Sequence, residues 1–400
     1  KELNILIFLT LVTLFILSSM FYYDLSINSV YSTECSEYND NINLDYDILQ
    51  LSKVSGRIHI NNNWSEAIDA GICTGNGTYS EPYIIRDWVI TTFPESGILI
   101  ENSNAYLIIE NCTIGHAADP NAGIELVNVN NSQIINNDCS LNYHGIYLRY
   151  CNNNTISGNI ASDAESFGYT LSVGIYLKKS NNNIISGNTA NYTGSAGISL
   201  YKCNHNVISG NTANICDSGI GISLAFCDNN IISGNTANDG GTPSWNGERR
   251  RADGIYLGGC ENNIITGNNV NGNSEAGIIL SSSNYNTISG NIANNNNYGI
   301  WFLRLNTYND ASENVIGGNV YRGVYLTEQS NHNVISGNAL SGNGMCIEEY
   351  DCIGNIYWNN GLCIYIGAPY FEILIYTGGA ALLILIVVLA EIQRRKTHRL

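Results

Sequence analysis

Tyrosines and cations recur at fixed offsets from a repeated glycine, and those offsets gather chemistry on one surface. Two and four residues after the glycine stand Tyr147 and Arg149, then Tyr176 and Lys178, then Ser199 and Tyr201, with His144 just before the first of these glycines. Aromatic faces stack on sugar rings and cations pair with carboxylates. Tyr147, Arg149, Tyr176, Lys178 and Tyr201 therefore suit an anionic glycan. A plainer account stays open, because Tyr and Lys are also good residues for the exposed face of a strand. Hydrolysis of a glycosidic bond needs two carboxylates on one face. Glu101 and Glu125 fall on adjacent repeats, but no aspartate pair joins them. Nor is there an acidic cluster near a basic residue that would hold Ca²⁺. The catalytic candidates are Glu125, His144 and Arg149, and the histidine stands alone.

A second group lies in an insertion, residues 239–251, which holds Trp245, Arg249, Arg250 and Arg251. In an acidic chain this loop suits an acidic partner, a second copy or lipid headgroups; a solvated loop is the alternative. Insertion 161–173 projects from the same corner, so the two are able to form one site. Among 12 Cys, four (Cys151, Cys203, Cys227 and Cys260) fall six residues after the repeated glycine, where Ser180 and Ser283 stand in other copies. Small residues stacked at a turn explain this, with a Cys203–Cys227 or Cys227–Cys260 disulfide or a soft-metal ladder as alternatives. Cys35, Cys73, Cys346, Cys352 and Cys363 are better disulfide candidates, because the ends of a stack have the least core. No C-x-x-C occurs, and with 2 Met and 6 His no metal or other cofactor is expected.

These residues are positioned by a repeat of about 22 to 24 residues, seen in GIYLRYCNNNTISGN from Gly145 and in copies from Gly174, Gly197, Gly221, Gly254, Gly277 and Gly323. Such a period means stacked units, none able to bury its apolar face alone. In GIYL the Ile and Leu fall two apart and share one face of a strand, as at Ile146/Leu148 and Ile198/Leu200. ISGN supplies a second short strand with Ile156, Ile185 and Ile208 inward. No apolar run has helical period, which excludes helical solenoids. Asn159, Asn188, Asn211, Asn235, Asn268 and Asn291 form one column, read as a structural ladder with amides bonding from rung to rung. Asn154 to Asn286 form another.

With 17 Lys+Arg against 34 Asp+Glu, the chain is a poor partner for a phosphate backbone, and nucleic acid is excluded. Residues 1–23 read as a signal peptide or N-terminal transmembrane anchor and 24–57 as a linker. Residues 58–366 read as the repeat ectodomain, 370–391 as a transmembrane helix, and 392–400 as a basic cytoplasmic tail. On this reading the ectodomain lies outside the cell or in the periplasm.

The repeats GIYL…NNNIISGNTAN, with the preceding segment Gly75-Asn76-Gly77-Thr78-Tyr79-Ser80-Glu81-Pro82-Tyr83-Ile84-Ile85, resemble right-handed parallel β-helix proteins of the pectin-lyase-like superfamily. They are most similar to the NosD-type (periplasmic copper-binding protein-like) and archaeal surface β-helix group. The resemblance implies an all-β right-handed solenoid, here of about ten rungs plus the terminal transmembrane helices. It implies that any enzyme site lies on the outer face of a strand column. The superfamily's hydrolase signatures are absent; Tyr143-His144-Gly145 only echoes a Gly-His-Gly. The resulting expectation is a membrane-anchored cell-surface protein for recognition, adhesion or envelope structure, binding glycan or a surface protein. The alternatives are a polysaccharide lyase or glycoside hydrolase, and a NosD-like accessory factor in metal-site maturation.

Overall fold

The structure, a computed structural model, describes residues 53–91, 94–163, 172–214, 219–241, 252–361 and 365–367. The alternation read from GIYL becomes parallel pairing. A sheet of thirteen strands runs from Ile58–Asn61 to Tyr365–Gly367, and a second sheet of twelve runs from Tyr83–Arg86 to Ile356–Trp358. Ten strands of the first, from Ile98–Ser103 to Arg322–Thr327, are the ten expected rungs; one strand precedes them and two follow. Ile146, Ile175, Ile198, Ile222, Ile255 and Ile278 lie opposite one another in register, and all are fully buried. Burying each such side chain stabilises by about 1.5–3 kcal/mol.

The third side of a rung narrows to single bridged residues, Ile160, Thr189, Thr212 and Thr236 in succession. The residue after each, Ala161, Ala190, Ala213 and Ala237, is buried. This alanine column explains the repeated glycine. A Cβ at Gly221 would lie 2.6 Å from the Ala237 Cβ and 2.7 Å from the Gly254 carbonyl oxygen. The glycine is there for close approach across the core, not for a turn. The glycine of ISGN differs: Gly187 and Gly210 have φ of +63° and +62°, which Gly adopts without cost.

Asparagines hold the corners. Asn188 Nδ2 donates to Asn211 Oδ1 at 3.0 Å and to the Ile156 carbonyl at 2.9 Å, while the Asn188 backbone N–H donates to the same Oδ1 at 2.9 Å. The pattern repeats through Asn159, Asn211, Asn235, Asn268 and Asn291. The thiols form a similar column. The Cys203 N–H donates to Cys227 Sγ at 3.3 Å, and the Cys227 N–H to Cys260 Sγ at 3.4 Å. Both disulfides left open for this column are absent, since Cys203, Cys227 and Cys260 are free, as are Cys73 and Cys352. Cys346 is disulfide-bonded; Cys35 and Cys363 lie outside the described residues.

Counting four residues from each glycine predicts Leu303 opposite Ser281; that expectation and one other are corrected. In strand Tyr298–Arg304 the register shifts, so that Arg304 rather than Leu303 lies opposite Ser281. The extra residue lengthens that rung by one. The terminal transmembrane helices are the second. Among the described residues no helix is long and apolar enough to cross a membrane, and the segments concerned, 1–23 and 370–391, lie outside the described residues. The membrane-anchored topology, with its cytoplasmic tail and membrane partner, is withdrawn on that finding.

Candidate functional site

Strands Ala122–Val129, His144–Arg149 and Val173–Lys178 pair without a shift, so equal offsets from each glycine become neighbours. One outward column runs Glu125, Tyr147, Tyr176, Ser199, Ser223 and Tyr256. The next runs Val127, Arg149, Lys178, Tyr201, Ala225 and Gly258. Glu101 is not brought to Glu125: it lies opposite Val127 and accepts a hydrogen bond from His59 at 2.9 Å.

Tyr147 and Tyr176 are stacked, with ring centroids 4.9 Å apart and planes 8° off parallel. His144 packs against both, at 5.5 and 5.6 Å. Its Nδ1 accepts the Val173 N–H at 3.2 Å, so a neutral ring carries its proton on Nε2. Burial lowers its pKa to about 4. Burial also raises Tyr147, and raises Tyr176 to about 12. Both phenols therefore stay protonated at neutral pH and act as donors. Glu125 Oε2 accepts from Ser96 Oγ at 2.7 Å, and its Oε1 lies 3.7 Å from Arg149 Nη2. Arg149 Nε is buried without a hydrogen-bond partner. The guanidinium is thus only partly spent on Glu125. Together the group offers a carboxylate, a cation with donor capacity and two protonated phenols.

Tyr201 belongs to the same face but turns toward the corner, with its ring edge-on to Phe226 at 5.9 Å. Trp245, Arg249, Arg250 and Arg251 lie outside the described residues, as do residues 164–171. One residue escaped the sequence reading. A Cβ at Gly258 would come within 2.7 Å of the Tyr256 hydroxyl, so the Tyr256 ring lies along its own strand in the space Gly258 leaves. The signal was present, since Gly258 is the glycine of a column that elsewhere carries side chains. A second aromatic cluster lies farther along the face. Trp301 and Tyr325 are stacked at 5.8 Å, and the Arg322 guanidinium sits 4.9 Å from the Tyr325 ring centre while paired with Glu348.

Two family descriptions match this sequence: Periplasmic copper-binding protein (NosD) over residues 78–242, and Right handed beta helix region over residues 173–340. The chain is a right-handed parallel β-helix related to NosD and the pectin-lyase-like fold. The resemblance read from the repeats is borne out. No curated protein matches this β-helix. Solved structures similar to it include the A-module of Azotobacter vinelandii mannuronan C-5 epimerase AlgE4, at 14% identity and TM-score 0.49, covering 78% of this chain and 93% of that one. The periplasmic alginate epimerase AlgG matches at 15% identity and TM-score 0.45, covering 79% and 85%. DFA-IIIase from Arthrobacter chlorophenolicus A6, without its lid, matches at 12% and 0.47, covering 77% and 95%. The expected role as a membrane-anchored protein of recognition, adhesion or envelope structure is corrected. Among the described residues no helix is long and apolar enough to cross a membrane.

Proposed function

We propose that this β-helix acts on an acidic polysaccharide lying on the outer face of the first sheet, with lyase-type chemistry centred on Glu125 and Arg149. The carrying observation is the grouping of Glu125, Arg149, Tyr147 and Tyr176 on three adjacent strands. The sugar acid's carboxylate pairs with Arg149, whose charge favours removal of the neighbouring ring proton. Glu125 takes that proton as base. The electron pair forms the ring double bond, the glycosidic C–O bond at the next carbon breaks, and the leaving oxygen takes a proton from a Tyr147 or Tyr176 phenol. His144 is a positioning residue for the tyrosine pair rather than a base, because its Nδ1 is occupied.

Hydrolysis by paired carboxylates has less support, since Glu101 is engaged with His59 in another column. Copper chemistry has none in the donor set: among the described residues no group of three His, Cys, Asp or Glu could hold a metal, and the stacked thiols bond to backbone groups. The test is product formation from polygalacturonate and alginate by the wild type, E125Q and R149Q. E125Q should lose turnover by at least about 10²-fold with the polymer still bound, while R149Q raises KM and lowers kcat together. Wild-type turnover in E125Q would contradict the assignment.

A further inference from the structure

We propose that the acidic polysaccharide continues off the sheet onto the adjoining corner, where Lys179 and Lys202 with Tyr150, Tyr201 and Phe226 form an anion-binding subsite. The polysaccharide class rests on the function proposed above; the subsite stands on its own geometry. Directly after the Arg149 column each rung turns through one left-handed residue. Asn102 and Asn128 fill that position at φ of +54° and +55°, and Gly259 at +62°. These are the residue types that tolerate it. In the four rungs between them the position is Tyr150, Lys179, Lys202 and Phe226, at +58°, +51°, +56° and +55°. Each is exposed. Later rungs place Ser282, Leu305 and Glu328 there, so the position takes varied side chains, and in these four rungs they are cationic or aromatic.

Their arrangement fits sugar acids. The Lys179 ammonium lies 5.2 Å from the Tyr150 ring centre and 3.4 Å from its hydroxyl. The Lys202 ammonium lies 5.3 Å from the Tyr201 ring centre and 6.0 Å from that of Phe226. Among the described residues neither ammonium has a carboxylate partner. With Arg149 and Lys178 they make four cations on three neighbouring rungs, in a chain with 17 basic and 34 acidic residues. Adjacent rungs are ~4.8 Å apart, comparable with the advance of one sugar unit in an extended chain. A polyuronate thus meets one ammonium per sugar, with an aromatic ring beside each.

The test uses the full chain and the double variant Lys179→Asn/Lys202→Asn, in which Asn suits the left-handed backbone as it does at positions 102 and 128. Binding of polygalacturonate, dextran and single-stranded DNA is measured by calorimetry at several salt concentrations. The double variant should bind polygalacturonate about tenfold more weakly at low salt, with a shallower salt dependence. Dextran binding should be unchanged and weak. Equal polygalacturonate affinity and salt dependence in both proteins would overturn the subsite, as would DNA binding as tight as polygalacturonate. Failure of the catalytic reading is separable. A wild type that binds polygalacturonate but forms no product removes the proposed reaction and leaves the subsite standing.

Discussion

His144 should make the stability of this β-helix fall steeply between pH 6.5 and pH 4. The ring is 7% exposed, and burial holds its pKa at about 4, against the ordinary 6.5. The unfolded chain takes up a proton as pH drops below 6.5, while the folded ring stays neutral down to about 4. The unfolded state then binds more protons, so stability is complete above pH 6.5 and is lost progressively toward pH 4. The displacement from 6.5 to about 4 corresponds to about 3 kcal/mol. His144→Asn isolates this group. Its Oδ1 takes the place of Nδ1 as acceptor for the Val173 N–H, and it does not titrate. The assay is urea unfolding of both proteins from pH 8 to pH 4. H144N should be less stable at pH 8, because it fills less of the space beside Tyr143, Tyr147 and Tyr176. The gap should close or reverse by about 3 kcal/mol on going to pH 4. Parallel curves would refute the reasoning and mean that the folded ring titrates normally.

Two further predictions concern the scaffold. Gly221→Ala places a methyl 2.6 Å from the Ala237 Cβ; it should cost about 1–3 kcal/mol in urea unfolding, and Ala237→Gly should recover part of that in the double variant. Asn211→Ala removes the acceptor of the Asn188 side-chain and backbone N–H groups and the donor to the Ile185 carbonyl. A loss of about 2–4 kcal/mol is expected in urea unfolding.

The fold was legible because its repeat is dictated by geometry that recurs at every rung. Ile175 and Leu177 have the same neighbours as Ile198 and Leu200, so the sequence copies itself. For the same reason the columns of Tyr147 with Tyr176 and of Arg149 with Lys178 could be counted from the glycine, since the strands pair without a shift. What could not be counted depends on contacts between faces. The repeated glycine marks each rung, but its cause is close approach to the next glycine's carbonyl and, from Gly145 to Gly221, to the alanine column across the core. That His144 is no free base follows from the Val173 N–H, which lies 29 residues on in the sequence. Lys179 and Lys202 carry no apolar periodicity, and they occupy a left-handed position that every rung shares. The shift at Arg304 is visible in hindsight, because Gly299 to Asn314 spans one residue more than Gly277 to Asn291.

The central claim is that this β-helix breaks an acidic polysaccharide by elimination at the Glu125–Arg149 face. The most direct test is mass spectrometry of soluble products after incubation with polygalacturonate and alginate, beside the E125Q variant. Oligosaccharides with unsaturated ends from the wild type, absent with E125Q, are the predicted result. Saturated products, or no products from either polymer, would contradict it.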